Sequence, residues 1–331
     1  MLIKDFIILL KVVIIYLLSM DNTRTVTPDQ TTSENMTTFQ EEPEPDLSYK
    51  KYNEFAIFGH LVSAIAMISL LAEKTSLIIP YTETFAEYTN KPDNSTCAVG
   101  SRTFETTDQT FCITTVTKPV SCDNDFCYGI DLGALIISFH LLSFVFQLAA
   151  QLTNVVGPVL GYRYDDMIAA NKNPLRFIEY SFSASIMLIA IAVLNGVTDI
   201  NLITSIAVLT AACQLCGLAV EFVDDVVVKW LLHLTGWLQF FWAYGIIFHA
   251  FFRSVISAND TGAPGPPSFV YIIVIVLFLL YASFGFVQFA ELIMGNKFNR
   301  YTKEKSYVLL SLTAKLLLGW MIFSNVLILA N

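Results

Sequence analysis

The chain has 331 residues, 55% of them hydrophobic and 14% charged, and its mean hydropathy is +0.59. A water-soluble domain carries about 25% charged residues, so that class is excluded. The formal net charge of −9 offers nothing to neutralise phosphates, and nucleic acid is not an expected partner.

Met1–Met20 is apolar but interrupted by Lys4, Asp5 and Lys11, which suits a signal or anchor segment and equally a helix lying in the membrane interface. The Thr-, Pro- and acid-rich stretch 21–48 reads as a disordered linker. Residues 49–331 then make one domain. Crossing a hydrocarbon core of about 30 Å takes about 20 apolar residues. Seven segments qualify: Phe55–Leu71, Ile130–Leu152, Phe177–Leu194, Leu202–Val220, Trp230–Phe252, Phe269–Leu292 and Tyr307–Leu329. The expected fold is an all-α membrane protein, a seven-transmembrane-helix bundle whose immediate partner is the lipid bilayer.

Basic residues concentrate in two short loops, 154–176 (Arg163, Lys172, Arg176) and 293–306 (Lys297, Arg300, Lys303, Lys305). The positive-inside rule places both in the cytoplasm. Lys50 and Lys51 then also lie inside, so the bundle begins on the cytoplasmic face and Asn331 ends outside. The long loop 74–129 between the first two spans falls outside. It holds Cys97, Cys112, Cys122 and Cys127, whose bonds persist only on the oxidising side; three pairings are open to four cysteines. Zinc is the weaker reading of these four. The sequons at Asn94 and Asn259 fall outside too, whereas the one at Asn35 agrees only if a further span precedes the bundle. Cys213 and Cys216 lie within a span and read as packing residues.

Two charges inside the spans demand a reason. Lys315 sits about eight residues, roughly 12 Å of helix, from the nearer end of the last segment, too deep to snorkel. A lone lysine there costs about 2.5–3.5 kcal/mol on insertion scales. A structural ion pair would offset that cost, and so would a lysine used covalently as a Schiff base. The natural partner is Glu179 on the third span, because the third and seventh spans run in the same direction and place both residues in the cytoplasmic half. Ser183 lies one turn after Glu179 and Ser311 one turn before Lys315, each on the face of its charged neighbour; small-residue helix packing is the competing reading for the serines.

All four histidines, His60, His140, His233 and His249, lie in or beside apolar spans. His60 and His140 have strongly apolar neighbours, where an imidazole can pass a proton or stand as a satisfied structural group. No metal site is expected, since no two histidines share a helix face at ligand spacing with a nearby pair of carboxylates. Glu221 and Glu291, at the cytoplasmic ends of the fourth and sixth spans, are candidate proton relays, with interface-marking acids as the plainer alternative. No catalytic triad or metal constellation points to an enzyme.

The run Arg176-Phe-Ile-Glu179-Tyr-Ser-Phe-Ser-Ala-Ser185 and the pair Ser311-x-x-x-Lys315 resemble heliorhodopsins, over about Lys50 to Asn331. The inferred cytoplasmic start of the bundle agrees with that family, whose orientation is inverted relative to type-1 microbial rhodopsins. The resemblance implies a rhodopsin-like bundle with all-trans retinal on Lys315, Glu179 as sole counterion, and Ser311 touching the Schiff base. It also implies His60 and His140 in a polar cavity beside the retinal, a capping outer loop, a homodimer, and light sensing through a cytoplasmic signalling partner. Light-activated proton or cation transport is the alternative. Ser63 stands where the family has glutamine, and the cysteine-rich outer loop is longer than usual.

Overall fold

The computed structural model describes residues 48–72, 77–90, 102–105, 110–120, 129–158 and 163–327. The expectations for 1–20, for the linker before Ser48, for Cys97, Cys122 and Cys127 and for the sequons at Asn35 and Asn94 lie outside the described residues.

Among the described residues, seven helices are long and apolar enough to span a membrane, as expected: α1 (Ser48–Leu71), α2 (Leu132–Val156), α4 (Pro174–Leu194), α5 (Ile200–Phe222), α6 (Val226–Thr261), α7 (Ser268–Met294) and α8 (Arg300–Ile322), which closes in a π-helical turn, Phe323–Leu327. The short α3 (Tyr164–Ala169) lies between α2 and α4. Side-chain oxygens start most of these helices by accepting from the first free backbone N–H groups: Asp131 for α2, Asn173 for α4, Asp199 for α5, Asp225 for α6 and Asn299 for α8. Pro174, directly after its cap, has no N–H to leave unsatisfied.

The fifth span outruns its expected end at Phe252. Nothing in 253–261 breaks a helix, so α6 continues until Gly262 takes the left-handed conformation at φ 70°. Its 36 residues amount to roughly 54 Å, and Asn259 of the outer sequon lies in its last turn.

Burial ranks the spans. In α4, 78% of the apolar window is buried, against 28–56% in the other six, so the third span is the central helix of the bundle. Its serines serve that packing. Ser181 and Ser185 donate to carbonyls one turn back, and Ser185 also reaches Ala207 O on α5 at 3.0 Å.

The described residues between α1 and α2 form a β cap, which the cysteines of this segment alone did not foretell. β1 (Ile78–Pro80) pairs antiparallel with β5 (Gly129–Asp131), and β4 (Thr110–Pro119) lies between β2 (Thr82–Asn90) and β3 (Arg102–Glu105) in a three-stranded antiparallel sheet. The signal is the β-branched run Thr110–Thr117. Thr82 N donates to Thr198 O at 3.0 Å, which fastens the sheet to the α4–α5 turn. Cys112 is buried on β4, opposite Thr89 and Thr103. The free thiols among the described residues are Cys213 and Cys216, as expected of packing residues.

The end of the bundle away from the cap, where the basic loops lie, is held by α3. Tyr49 stacks on Tyr301 and meets Tyr164 edge-on, while Tyr49 OH and Lys50 Nζ donate to Asp165 at 2.6 and 2.7 Å. Burial by itself raises the Asp165 carboxyl, but the bonds from Lys50, Tyr49 and Asn154 outweigh it and hold this group below the ordinary carboxylate range. A depressed carboxyl contributes stability above its unfolded value of about 3.9 and loses it as pH falls through the folded value. Hydrogen exchange across 163–170 should therefore quicken as pH drops below about 4 relative to the exchange expected of the chain itself. Asp165→Asn should make that ratio independent of pH.

Candidate functional site

Lys315 and Glu179 meet as their depths suggested. Lys315 Nζ donates to Glu179 Oε1 and to Ser311 Oγ, both at 2.8 Å, with Lys315 and Glu179 each 2% exposed. The central position of α4 and the cap that starts α8 set the two residues at matching depth. No other charged group bonds Lys315 among the described residues, so one cation and one carboxylate neutralise each other away from water. The Nζ also sits 5.1 Å from the centre of the Tyr180 ring.

A hydroxyl from another helix completes the pair. Ser143 on α2 donates to the same Glu179 oxygen at 2.7 Å. Ser183, expected in this role because it follows Glu179 by one turn, does not fill it: its Oγ is buried without a partner among the described residues and lines the pocket beyond Lys315. Spacing along one helix reported the shared face; the approach of α2 decided which serine reached the oxygen.

Lys315 and Ser311 open onto a pocket running between α4, α5, α6 and α7. Tyr180, Met187, Trp237, Phe240, Tyr281 and Phe284 form its walls. Trp237 is seated against Gly285, where a Cβ would lie 2.6 Å from the indole. At the far end His233 and Gln288 bond each other at 3.1 Å, and Trp237 Nε1 donates to His233 Nε2 at 2.9 Å. His233 is thus a satisfied structural histidine. His249, farther along α6, is not a lining residue of this cavity.

His60 and His140 lie on the opposite side of Lys315, both fully buried, with their Nδ1 atoms 3.1 Å apart. One ring must donate and the other accept, so the two imidazoles share a single proton across this contact. Gly319, one turn beyond Lys315, makes room for them: a Cβ there would start 2.7 Å from His140 Nε2. Beside the pair, Trp320 Nε1 donates to Ser63 Oγ at 3.3 Å.

The candidate relays occupy a different setting from the one expected. Glu221 is not an interface marker: with its side chain 1% exposed it accepts from Arg176 at 2.5 Å and from Lys303 at 3.0 Å. Arg176 also pairs with Glu304, while Lys303 reaches Glu291 at 3.1 Å. Tyr164 OH and Asn173 Nδ2 complete Glu304. Arg176 and Lys303 were read only as loop residues and Glu304 was not singled out, and their partners come from α3, α4, α5, α7 and α8, which no spacing along the chain reveals.

A family model described as heliorhodopsin matches residues 49–327. This chain belongs to the heliorhodopsin family. Solved structures similar to this heliorhodopsin are microbial rhodopsins. The transmembrane domain of Salpingoeca rosetta rhodopsin phosphodiesterase is 10% identical with a TM-score of 0.54, over 86% of this chain and 85% of that one. The red light-activated channelrhodopsin Chrimson is 12% identical with a TM-score of 0.51, over 93% and 91%. At those identities the likeness shows the fold. A comparison with curated protein sequences gives no match. Membership makes this heliorhodopsin a multi-pass membrane protein of the retinal-based light-sensing or light-driven class. The residues fit that chromophore: an amine stands at the mouth of a long aromatic cavity with a carboxylate to balance it.

Proposed function

We propose that this protein is a light sensor that carries all-trans retinal on Lys315 as a protonated Schiff base, with Glu179 as counterion. The observation that carries the reading is the buried 2.8 Å contact between Lys315 and Glu179 beside the aromatic cavity. Bound retinal supplies visible absorption and a double bond that light isomerises. The chain's part is to hold the charge and shape around that event. Glu179 keeps a proton on the lysine nitrogen, Ser143 and Ser311 fix the two partners, and Trp237, Phe240 and Tyr281 restrict motion in the cavity.

A sensor role is supported by the far end of the bundle, where Glu221 and Glu291 are engaged in ion pairs across α4, α5, α7 and α8 and stand as ties between helices. A shift of α8 at Lys315 would pull on Lys303 and Glu304 of the same helix and alter the face presented to a cytoplasmic partner. That end is cytoplasmic by its basic loops, with the β cap outside, where Cys112 would pair with another cysteine of the loop. A homodimer and non-enzymatic signalling follow from the family reading. Light-driven proton transport is the second reading, favoured by one observation: Glu179 lines a further cavity that leads away from Lys315.

A visible spectrum of the protein expressed with all-trans retinal tests the assignment. A band that hydroxylamine bleaches, and from which all-trans retinal is extracted in the dark, is the expected result; a band resistant to hydroxylamine, or no band, would remove it. Photocurrents in voltage-clamped cells would establish the transport reading, and light responses without current the sensor.

A further inference from the structure

Both hydrogen bonds that Glu179 receives fall on Oε1, from Lys315 and from Ser143. Its Oε2 takes none among the described residues, and Glu179 lines a second, smaller cavity on the side away from the aromatic pocket. This chamber lies between α1, α2, α4 and α8, closed toward the basic end by Tyr164 of α3. Asn53, Gln147, Asn173, Arg176 and Glu304 line it as well. Two of its polar atoms, Gln147 Oε1 and Arg176 Nε, are buried without a partner, and Arg176 is only 7% exposed. Buried polar atoms in native proteins are satisfied, and a polar cavity offering two to four partners per molecule is where water is held.

We propose that this chamber is a water-binding site that gives Glu179 proton access to the basic end of the protein, through the Arg176–Glu304–Tyr164 group. Gln147 Oε1 accepts from a water, Arg176 Nε donates to one, and the free Oε2 of Glu179 closes the chain. A proton arriving from this side forms the O–H bond at Oε2 while the chamber water gives up one of its own, and that water is restored by the next proton along the chain. The Oε1 side stays bonded to Lys315 and Ser143 throughout. The charged and titratable groups around Glu179 are Lys315 and Glu304 from α8, Arg176 and Tyr180 on its own helix, the His60–His140 pair beside Lys315 from α1 and α2, and Tyr281 from α7. Only the Arg176–Glu304 side is joined to Glu179 by the chamber.

The inference rests on Glu179 as counterion, and its test separates the two. The full chain with all-trans retinal is mixed with acid in the dark, and the shift of the visible band that accompanies protonation of Glu179 is followed by stopped flow. Gln147→Met keeps the side-chain length but removes the amide; Asn53→Leu narrows the chamber from α1. Each should slow the shift by about tenfold or more without moving its end point, a part of the roughly 10²–10⁴-fold that positioned proton transfer contributes. Water density between Gln147 and Glu179 in a high-resolution structure is the second expected result. Parent-like rates in both variants, or a dry chamber, would overturn the proposal. A band that does not respond to Glu179→Gln would instead remove the counterion reading beneath it.

Discussion

Replacing Lys315 with alanine abolishes the visible band altogether. Among the described residues no other amine is placed to substitute: Lys315 is the lysine lining the aromatic cavity, and Lys303 is held by Glu221 and Glu291 at the far end of the same helix. Removing the lysine alone also leaves Glu179 buried beside Ser143 without its cation, and breaking a buried pair in this way costs about 3–5 kcal/mol. The double variant Lys315→Ala with Glu179→Gln removes both charges and should fold well enough to purify. Its helical circular dichroism beside the parent's shows that colour, and not the bundle, was lost. A visible band retained in the folded double variant would return Lys315 to the role of structural ion pair.

Glu179→Gln moves the band to the red. The carboxylate stabilises positive charge at the lysine nitrogen in the ground state more than in the excited state, where that charge has spread along the polyene. Two charges about 4 Å apart interact by about 4 kcal/mol at an effective dielectric constant near 20, enough to shift a visible band by tens of nanometres when one is removed. Glutamine keeps the size of the side chain and still accepts from Ser143. Ser143→Ala removes only a neutral donor to the same oxygen and should move the band by a smaller amount. An unchanged spectrum in Glu179→Gln would sink the counterion assignment, because no second carboxylate bonds Lys315 among the described residues.

What chain order alone determined is what depends on depth and length. The spans follow from apolar runs long enough to cross a membrane; the Asp and Asn caps that start five of the helices are seen in the structure. Lys315 and Glu179 were paired correctly because two helices running in the same direction turn sequence position into depth, and because an unpaired buried charge is too costly to leave. The fifth span was cut short for a local reason: apolarity fades at Phe252, but helical hydrogen bonding continues until Gly262 ends it.

Only the tertiary structure decided who else meets the pair. Ser183 has the right spacing and points into the cavity, while Ser143, from a helix the spacing rule does not consider, holds Glu179. Arg176, Glu221, Lys303 and Glu304 look like ordinary end-of-span charges, yet they converge in a buried network. His60 and His140 are 80 residues apart and share a proton contact because Gly319 leaves room for the ring. The physical reason is the same in each. Periodicity and hydropathy report how one helix faces its surroundings, whereas a hydrogen bond between helices depends on their rotation and approach, which the packing of all seven fixes together.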